Sequence, residues 1–245
     1  MFVGLGLPIA DPAALLTWAR RADGGPFRTL GLLDRLVYDN PEPLTALAVL
    51  AGATSRIRLQ TEVLLAPLRG TALLAKQVAT LDRMSSGRLV LSLGVGGRED
   101  DHHVAGTPLR ERGRSLDRQL ETMRRVWTGA PYSDEAGPIG PAPARPGGPE
   151  LLFGGFRPAA LDRVARWGDG FLAAAPPSWA GGLFDTVRRA WHDHGREGEP
   201  RLLAQVNVAL GPPQLRAYGD LGADEVMLYC YGTDPDQVHR LAELC

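Results

Sequence analysis

Short apolar runs alternate along the whole chain with longer segments in which apolar residues recur every three to four positions. Runs of the first kind, bounded by turn residues, predict β-strands, and the longer spacing predicts amphipathic helices. The first pair is VGLGL (residues 3–7) with a helix from Pro12 to Arg21, capped by Asp11. TLGLLD with PEPLTALAVLAGA is the second pair. The third is IRLQTEVLL with TALLAKQVATLDRM, whose Leu74, Gln77, Val78, Leu81 and Met84 share one face. LVLSLGV with a helix from Ser115 to Trp127 is the fourth, its stripe being Leu116, Leu120, Met123 and Trp127. LLFGG with PAALDRVARW, GFLAAA with WAGGLFDTVRRAWHDH, RLLAQVNVAL with a short helix near QLRAYGD, and EVMLYCY with PDQVHRLAEL complete the series. Eight strand–helix units predict an α/β fold, a parallel (β/α)8 TIM barrel, occupying residues 1–245 as one domain. The Pro- and Gly-rich stretch 129–149 joins a helix to the next strand, so it lies on the face away from the chemistry.

Within each strand, side chains alternate between the helix-facing side and the lumen. This parity sends Ile57, Leu59, Thr61 and Val63 toward the helices and Arg58, Gln60 and Glu62 inward. Leu89, Leu91, Leu93 and Val95 face out, whereas Ser92, Gly94 and Gly96 face in. Gly4, Gly6, Gln205, Asn207, Met227, Tyr229 and Tyr231 also face in. Barrel interiors are ordinarily filled by branched apolar residues, so glycine, serine and amide there predict space kept for a ligand.

Composition narrows the function. The chain has 245 residues and a net charge of -1, which argues against a task built on binding nucleic-acid phosphates. Two cysteines, Cys230 and Cys245, supply neither a disulfide framework nor a four-ligand zinc site. The start, MFVGLGLPIAD, has no secretory signal pattern, and no apolar run reaches membrane-spanning length. A cytoplasmic protein acting on a small molecule, without nucleic-acid or membrane partners, is the expectation.

Function in such barrels resides in the loops that follow the strands. Those loops carry Asp34 and Arg35, Glu62 to Pro67, Gly97 to His103, Gly154 to Arg157, and Tyr229 to Tyr231. In FGGFRPAALDRV, Gly154, Gly155, Phe156 and Arg157 precede a helix that opens on proline; free N–H groups at that helix start suit a phosphate, and a tight turn is the plain alternative. LGVGGRE resembles a dinucleotide fingerprint but has Glu99 where the last glycine belongs, and no helix is expected directly behind it. The cluster EDDHH, with His102 and His103, reads as a hydrated rim with one or two working residues, and no metal is expected. Asp82, Arg83 and Arg88 in TLDRMSSGR precede a strand and read as structural, and His192, His194 and His239 receive no role.

The stretch SRIRLQTEVLLAPLRGTALLAKQVATLDRMSSGRLVLSLGVGGRED resembles the signature region of the bacterial luciferase-like flavin monooxygenases, a family that includes deazaflavin-dependent enzymes. DRLVYDNPEPLTALAVLAGAT and GGFRPAALDRVARWGDGF fit the same family, so the resemblance covers nearly the whole chain. It implies a barrel that seats a reduced flavin, FMN, or the deazaflavin coenzyme F-420, with the ring at the strand ends. By position it implies a cis peptide at Glu62–Val63 beneath the ring. It also implies ring and tail contacts from Gly97, Arg98 and Glu99, beside the inward Gly94 and Gly96 read above as space for a flat ring, and a phosphate loop at Gly154, Gly155 and Phe156, next to Arg157. Asp34 matches an acid common after the second strand, and Arg35 stands where a histidine often moves a proton; His102 and His103 are further candidates for proton transfer. An oxidoreductase follows, a monooxygenase fed with reduced FMN by a separate flavin reductase and acting on a small organic substrate, with a homodimer as the assembly the family suggests. The alternatives are hydride transfer with F-420 and a non-catalytic flavin-binding protein. Arg35, Glu62 and a short stretch near GPPQLRAYGD depart from the family pattern.

Overall fold

The computed structural model of the protein describes residues 1–7, 11–208, 214–230, 232 and 234–245, apart from the side chain of Pro12. Its strands are β1 (Phe2–Gly6), β2 (Thr29–Leu32), β3 (Arg58–Thr61), β4 (Leu64–Leu65), β5 (Leu89–Gly94), β6 (Glu150–Gly154), β7 (Gly170–Ala173), β8 (Arg201–Asn207) and β9 (Glu225–Tyr229). All named pairings are parallel, running β3-β2-β1-β9-β8-β7-β6-β5-β4. β3 also pairs with β5, Leu59 beside Leu89 and Gln60 beside Val90, which closes the cylinder. β3 and β4 are the two halves of one stave, so the barrel is eight-stranded, as the alternation predicts.

The helices are α1 (Leu15–Asp23), α2 (Pro43–Ala53), α3 (Thr71–Met84), α4 (Glu99–Val104), α5 (Arg112–Trp127), α6 (Pro158–Trp167), α7 (Pro177–Asp193), α8 (Leu215–Asp220) and α9 (Gln237–Ala242). Outward strand residues such as Leu5, Leu30, Leu91, Phe153 and Val226 pack with Trp18, Leu47, Val78, Leu120 and Phe184 of the helices in one continuous apolar layer. Burying each such side chain stabilises the fold by about 1.5–3 kcal/mol. Asp82 and Arg88 are structural, as read: Asp82 accepts from the Ala144 N–H at 2.8 Å, and Arg88 donates to the carbonyls of Ser85, Ile57 and Ala51.

One helix went unpredicted. α4 opens at Glu99, directly behind the glycines, where no helix was expected. Three acids, Glu99, Asp100 and Asp101, occupy its first turn, where the positive end of the helix dipole favours them.

The lumen is layered. At its floor, the first residues of four strands form an ion-pair chain: Arg58 to Glu150, Arg201 to Glu150 at 2.7 Å, and Arg201 to Glu225. Burial alone would raise the Glu150 carboxyl, but the two arginines beside it hold it below the usual range. Above the floor, Val90, Leu152, Leu172, Leu203 and Met227 form an apolar cluster with Val63 packed on it. The expectation of a polar, partly empty interior therefore needs correcting, because the inward positions of β6 and β7 supply leucines.

Val63 is a second correction. Parity sends it toward the helices, yet it faces the lumen together with Glu62, because the alternation breaks at their peptide, which is cis. Glu62 lies over Gly31, where a Cβ would fall 2.1 Å from its Oε1. Val63 covers Gly94 and Gly154, where a Cβ would fall 2.5 and 3.0 Å from its methyl carbons.

Candidate active site at the barrel mouth

The loops after β2, β4, β5, β6 and β7 frame the C-terminal mouth. Those after β1, β8 and β9 include residues 8–10, 209–213, 231 and 233, so the inward position predicted for Tyr231 lies outside the described residues.

Asp34 is fully engaged. Its carboxylate is 3% exposed and accepts from the Leu65 N–H at 2.7 Å and from Arg69 Nη1 and Nη2 at 2.6 and 3.1 Å. Arg69 also reaches Glu42 at 3.0 Å. Burial would lower the guanidinium, but the bonds from Asp34 and Glu42 leave it above its usual value. Asp34 thus ties the loop after β2 to the loop after β4.

Arg35 is engaged as well. Its Nε donates to Asp101 Oδ2 at 2.6 Å, while Asp101 Oδ1 accepts the N–H groups of Leu36 and Val37 at 3.0 and 2.8 Å. Burial pushes the Asp101 carboxyl up, but the Val37 N–H and the Arg35 charge outweigh it and hold it below the ordinary range. The result is a clamp between the β2 loop and α4 that presents Leu36, Val37 and Tyr38 as exposed apolar residues on the rim.

The two histidines part company. His102 is buried, its Nε2 3.2 Å from the Val95 carbonyl and its Nδ1 3.0 Å from Thr107 Oγ1. A carbonyl only accepts, so Nε2 carries the proton and Nδ1 accepts from the threonine. His102 therefore props the loop at Gly96, where a Cβ would lie 3.1 Å from its Nε2. His103 is exposed.

The glycine loops remain open. Gly97 has no heavy atom within 4 Å of the place a Cβ would occupy, and Arg98 and Glu99 beside it are exposed. At Gly155, φ is +146° and a Cβ would meet the Ala160 Cβ at 2.7 Å, so only glycine fits this turn. Arg157 then stands as N-cap of α6; Pro158 carries no N–H, and Ala160 and Leu161 donate to the Arg157 carbonyl at 2.8 and 3.2 Å, which leaves Ala159 as the helical N–H of this first turn without an intrahelical acceptor. Phe156 stacks on Trp179 at the start of α7, ring centroids 4.7 Å apart and 18° from parallel, both rings about half exposed. Trp179 and Arg69 were not expected from the sequence, and Asp101 was placed on the rim with Gly97 to His103 but without a role. Asp101 had a signal in its acidic cluster, whereas the Phe156–Trp179 stack arises only when two separate loops meet.

Beneath the mouth lies a polar pocket wall. Gln60, Glu62 and Ser92 are buried, and Gln60 Oε1, Glu62 Oε2 and Ser92 Oγ have no hydrogen-bond partner among the described residues. Glu62 Oε1 accepts from Gln60 Nε2 at 3.2 Å. No group of three His, Cys, Asp or Glu among the described residues is placed to hold a metal ion, and no described helix is long and apolar enough to cross a membrane.

The profile of the luciferase-like monooxygenase family matches residues 3–241. The chain belongs to that family. An uncharacterised relative from Mycobacterium tuberculosis is 31% identical over 193 residues, covering 76% of this chain and 68% of the relative. A Mycobacterium bovis phthiodiolone/phenolphthiodiolone dimycocerosates ketoreductase is 32% identical over 171 residues, and the matched part is 64% of this chain and 44% of that enzyme. Three solved structures share the fold at low identity. Monooxygenase RslO1 from Streptomyces bottropensis has a TM-score of 0.83 at 20% identity, covering 100% of this chain and 97% of its own. An F-420-dependent secondary alcohol dehydrogenase has 0.83 at 14%, covering 100% and 98%. The oxygenating constituent of 3,6-diketocamphane monooxygenase from Pseudomonas putida, in complex with FMN, has 0.72 at 16%, covering 84% and 67%.

A flavin-type group fits this luciferase-like mouth. The Gly155 turn with the Ala159 N–H and the Arg157 guanidinium suits a phosphate, Val63 covers Gly94 and Gly154 with apolar methyls, and Gly97 has open space where a side chain would stand. Because Val63 already fills the space over Gly94, that glycine makes room for Val63 and does not itself seat a ring.

Proposed function

We propose that this luciferase-like protein is a monooxygenase that uses reduced FMN and oxygen on a small, largely apolar organic substrate. The observation that carries the reading is the combination of an anion-suited helix start at Gly155–Arg157 with a hydrocarbon floor at Val63 and a rim of exposed apolar side chains. Bound reduced FMN supplies two electrons to oxygen, one oxygen atom going to the substrate and the other to water. The chain's own residues do the rest. The Ala159 N–H and the Arg157 side chain would hold the phosphate end, and Val63 would support the ring. Gly97, Arg98 and Glu99 line its side. Leu36, Val37, Tyr38 and the Phe156–Trp179 stack bound the substrate and keep water out of the mouth. Asp34 and Asp101 position the loops that bring these groups together. Reduced FMN is supplied by a separate reductase.

A second reading, reduction of a ketone with deazaflavin F-420, is favoured by the ketoreductase among the relatives and by the F-420-dependent dehydrogenase among the structures. The chain spans less than half of that ketoreductase's length, so its substrate is not carried over. Anaerobic titration with reduced FMN and reduced F-420, followed by oxygen consumption with a flavin reductase and a panel of small ketones and aromatics, separates the readings. Tighter FMN binding and substrate-dependent oxygen uptake are expected. Preference for F-420 with oxygen-independent ketone reduction would replace the first reading by the second.

A further inference from the structure

Among the described residues of the mouth, the candidate proton carriers are already engaged. Asp34 is bound to Arg69, Asp101 to Arg35, and both nitrogens of His102 are taken. Glu62 differs. Its side chain turns into the lumen over Gly31, its backbone adjoins Val63 at the floor of the mouth, and its Oε2 has no hydrogen-bond partner among the described residues. Resting on the flavin-type reading above, we infer that Glu62 is a proton-coupling carboxyl: it is neutral when an electron-rich reduced ring settles on Val63, so the protein binds reduced cofactor together with a proton.

The surroundings support this from every stave of the barrel. Inward positions of β1, β2, β5 and β7 are Gly4, Gly6, Thr29, Gly31, Val90, Ser92, Gly94, Gly170 and Leu172, none of which titrates near neutrality. β4 adds only Leu64 and Leu65. Charge reaches the lumen from Arg58 of β3, Glu150 of β6, Arg201 of β8 and Glu225 of β9, and Tyr229 of β9 is the other titratable group there. Both arginines are committed to Glu150 and Glu225 at the floor. At the rim, Arg69 and Arg35 are likewise paired with carboxylates. Among the described residues the Glu62 carboxyl makes no ion pair, and its one hydrogen bond is from Gln60 Nε2. Burial, with the negative Glu225 adding to it, pushes the Glu62 carboxyl up to about 8. Gln60 Oε1 and Ser92 Oγ are likewise buried without a hydrogen-bond partner among the described residues. Glu62 thus acts through its peptide link to Val63 on whatever the mouth holds, as a positioning residue.

The test compares reduced with oxidised FMN on the intact protein. Anaerobic titrations from pH 6 to 9.5 give the ratio of the two dissociation constants for wild type, Glu62→Gln and Glu62→Ala, and the FMN's own ionisations cancel between variants. Relative to Glu62→Gln, wild type is expected to lose reduced-FMN affinity above pH 8 by up to about tenfold per unit, as one linked proton requires, and Glu62→Ala should follow Glu62→Gln. An infrared carboxyl band in the unliganded protein should be absent in Glu62→Gln and should titrate near 8 in wild type. Parallel pH profiles in wild type and both variants would overturn the coupling while leaving cofactor binding intact. Failure of wild type to bind FMN or F-420 in any redox state would instead overturn the functional reading, and the coupling with it.

Discussion

A Cβ on Gly94 would lie 2.5 Å from Val63 Cγ2, so these two residues, from adjacent staves of the barrel, occupy one space between them. Gly94→Ala should destabilise the protein by about 1–3 kcal/mol through overpacking. Val63→Ala in the same chain should recover part of that loss, a coupling that a double-mutant cycle of urea midpoints reads directly. Additive effects would mean that Gly94 is needed for some other reason.

Glu62 sets a pH dependence of stability. Its folded-state pKa, about 8, lies above the ordinary 4.5, so the folded chain holds a proton that the unfolded chain releases. Stability attributable to this group is complete below about pH 4.5, falls as pH rises toward 8 and is flat beyond. Glu62→Gln should therefore gain on wild type through that window, by about 3 kcal/mol near pH 7 at most. Denaturation midpoints at pH 5, 7 and 9 check this.

Asp101 titrates the other way. Its folded-state pKa lies below its ordinary value, so its contribution is present above the ordinary carboxylate range and is lost as pH falls through the depressed value. Asp101→Ala should free the N–H groups of Leu36 and Val37, and hydrogen exchange at those two amides should quicken at least tenfold while strand amides stay protected. Unchanged exchange would show that the loop is held by something besides this clamp.

Asp34→Asn removes the charge facing Arg69 but keeps an acceptor for the Leu65 N–H. A loss of about 1–3 kcal/mol is expected, because breaking a mostly buried pair leaves a guanidinium without its counter-charge. At temperatures where the variant is fully folded, its pH–rate profile should match wild type. A displaced profile would make Asp34 a participant in the chemistry.

Much of the barrel was legible because period-two and period-3.6 patterns survive in short segments: Thr71–Met84 and Pro158–Trp167 occur as read. Parity failed where local geometry overrides it, at Val63, whose peptide with Glu62 reverses the expected side. α4 was missed because its six residues are too few for a periodic signal, leaving only the acids of its first turn. At the site, spacing identified Gly155 and the start of α6, whose constraints are local. The commitments of Asp34 to Arg69 and Arg35 to Asp101 depend on loops from different staves and have no pattern in one sequence.

A crystal structure of the protein soaked with FMN tests the central claim most directly. The phosphate is expected within hydrogen-bond distance of the Ala159 N–H and the Arg157 side chain, with the fused rings lying on Val63 and flanked by Gly97. FMN bound elsewhere, or a mouth that stays closed to it at saturating concentration, would contradict the account.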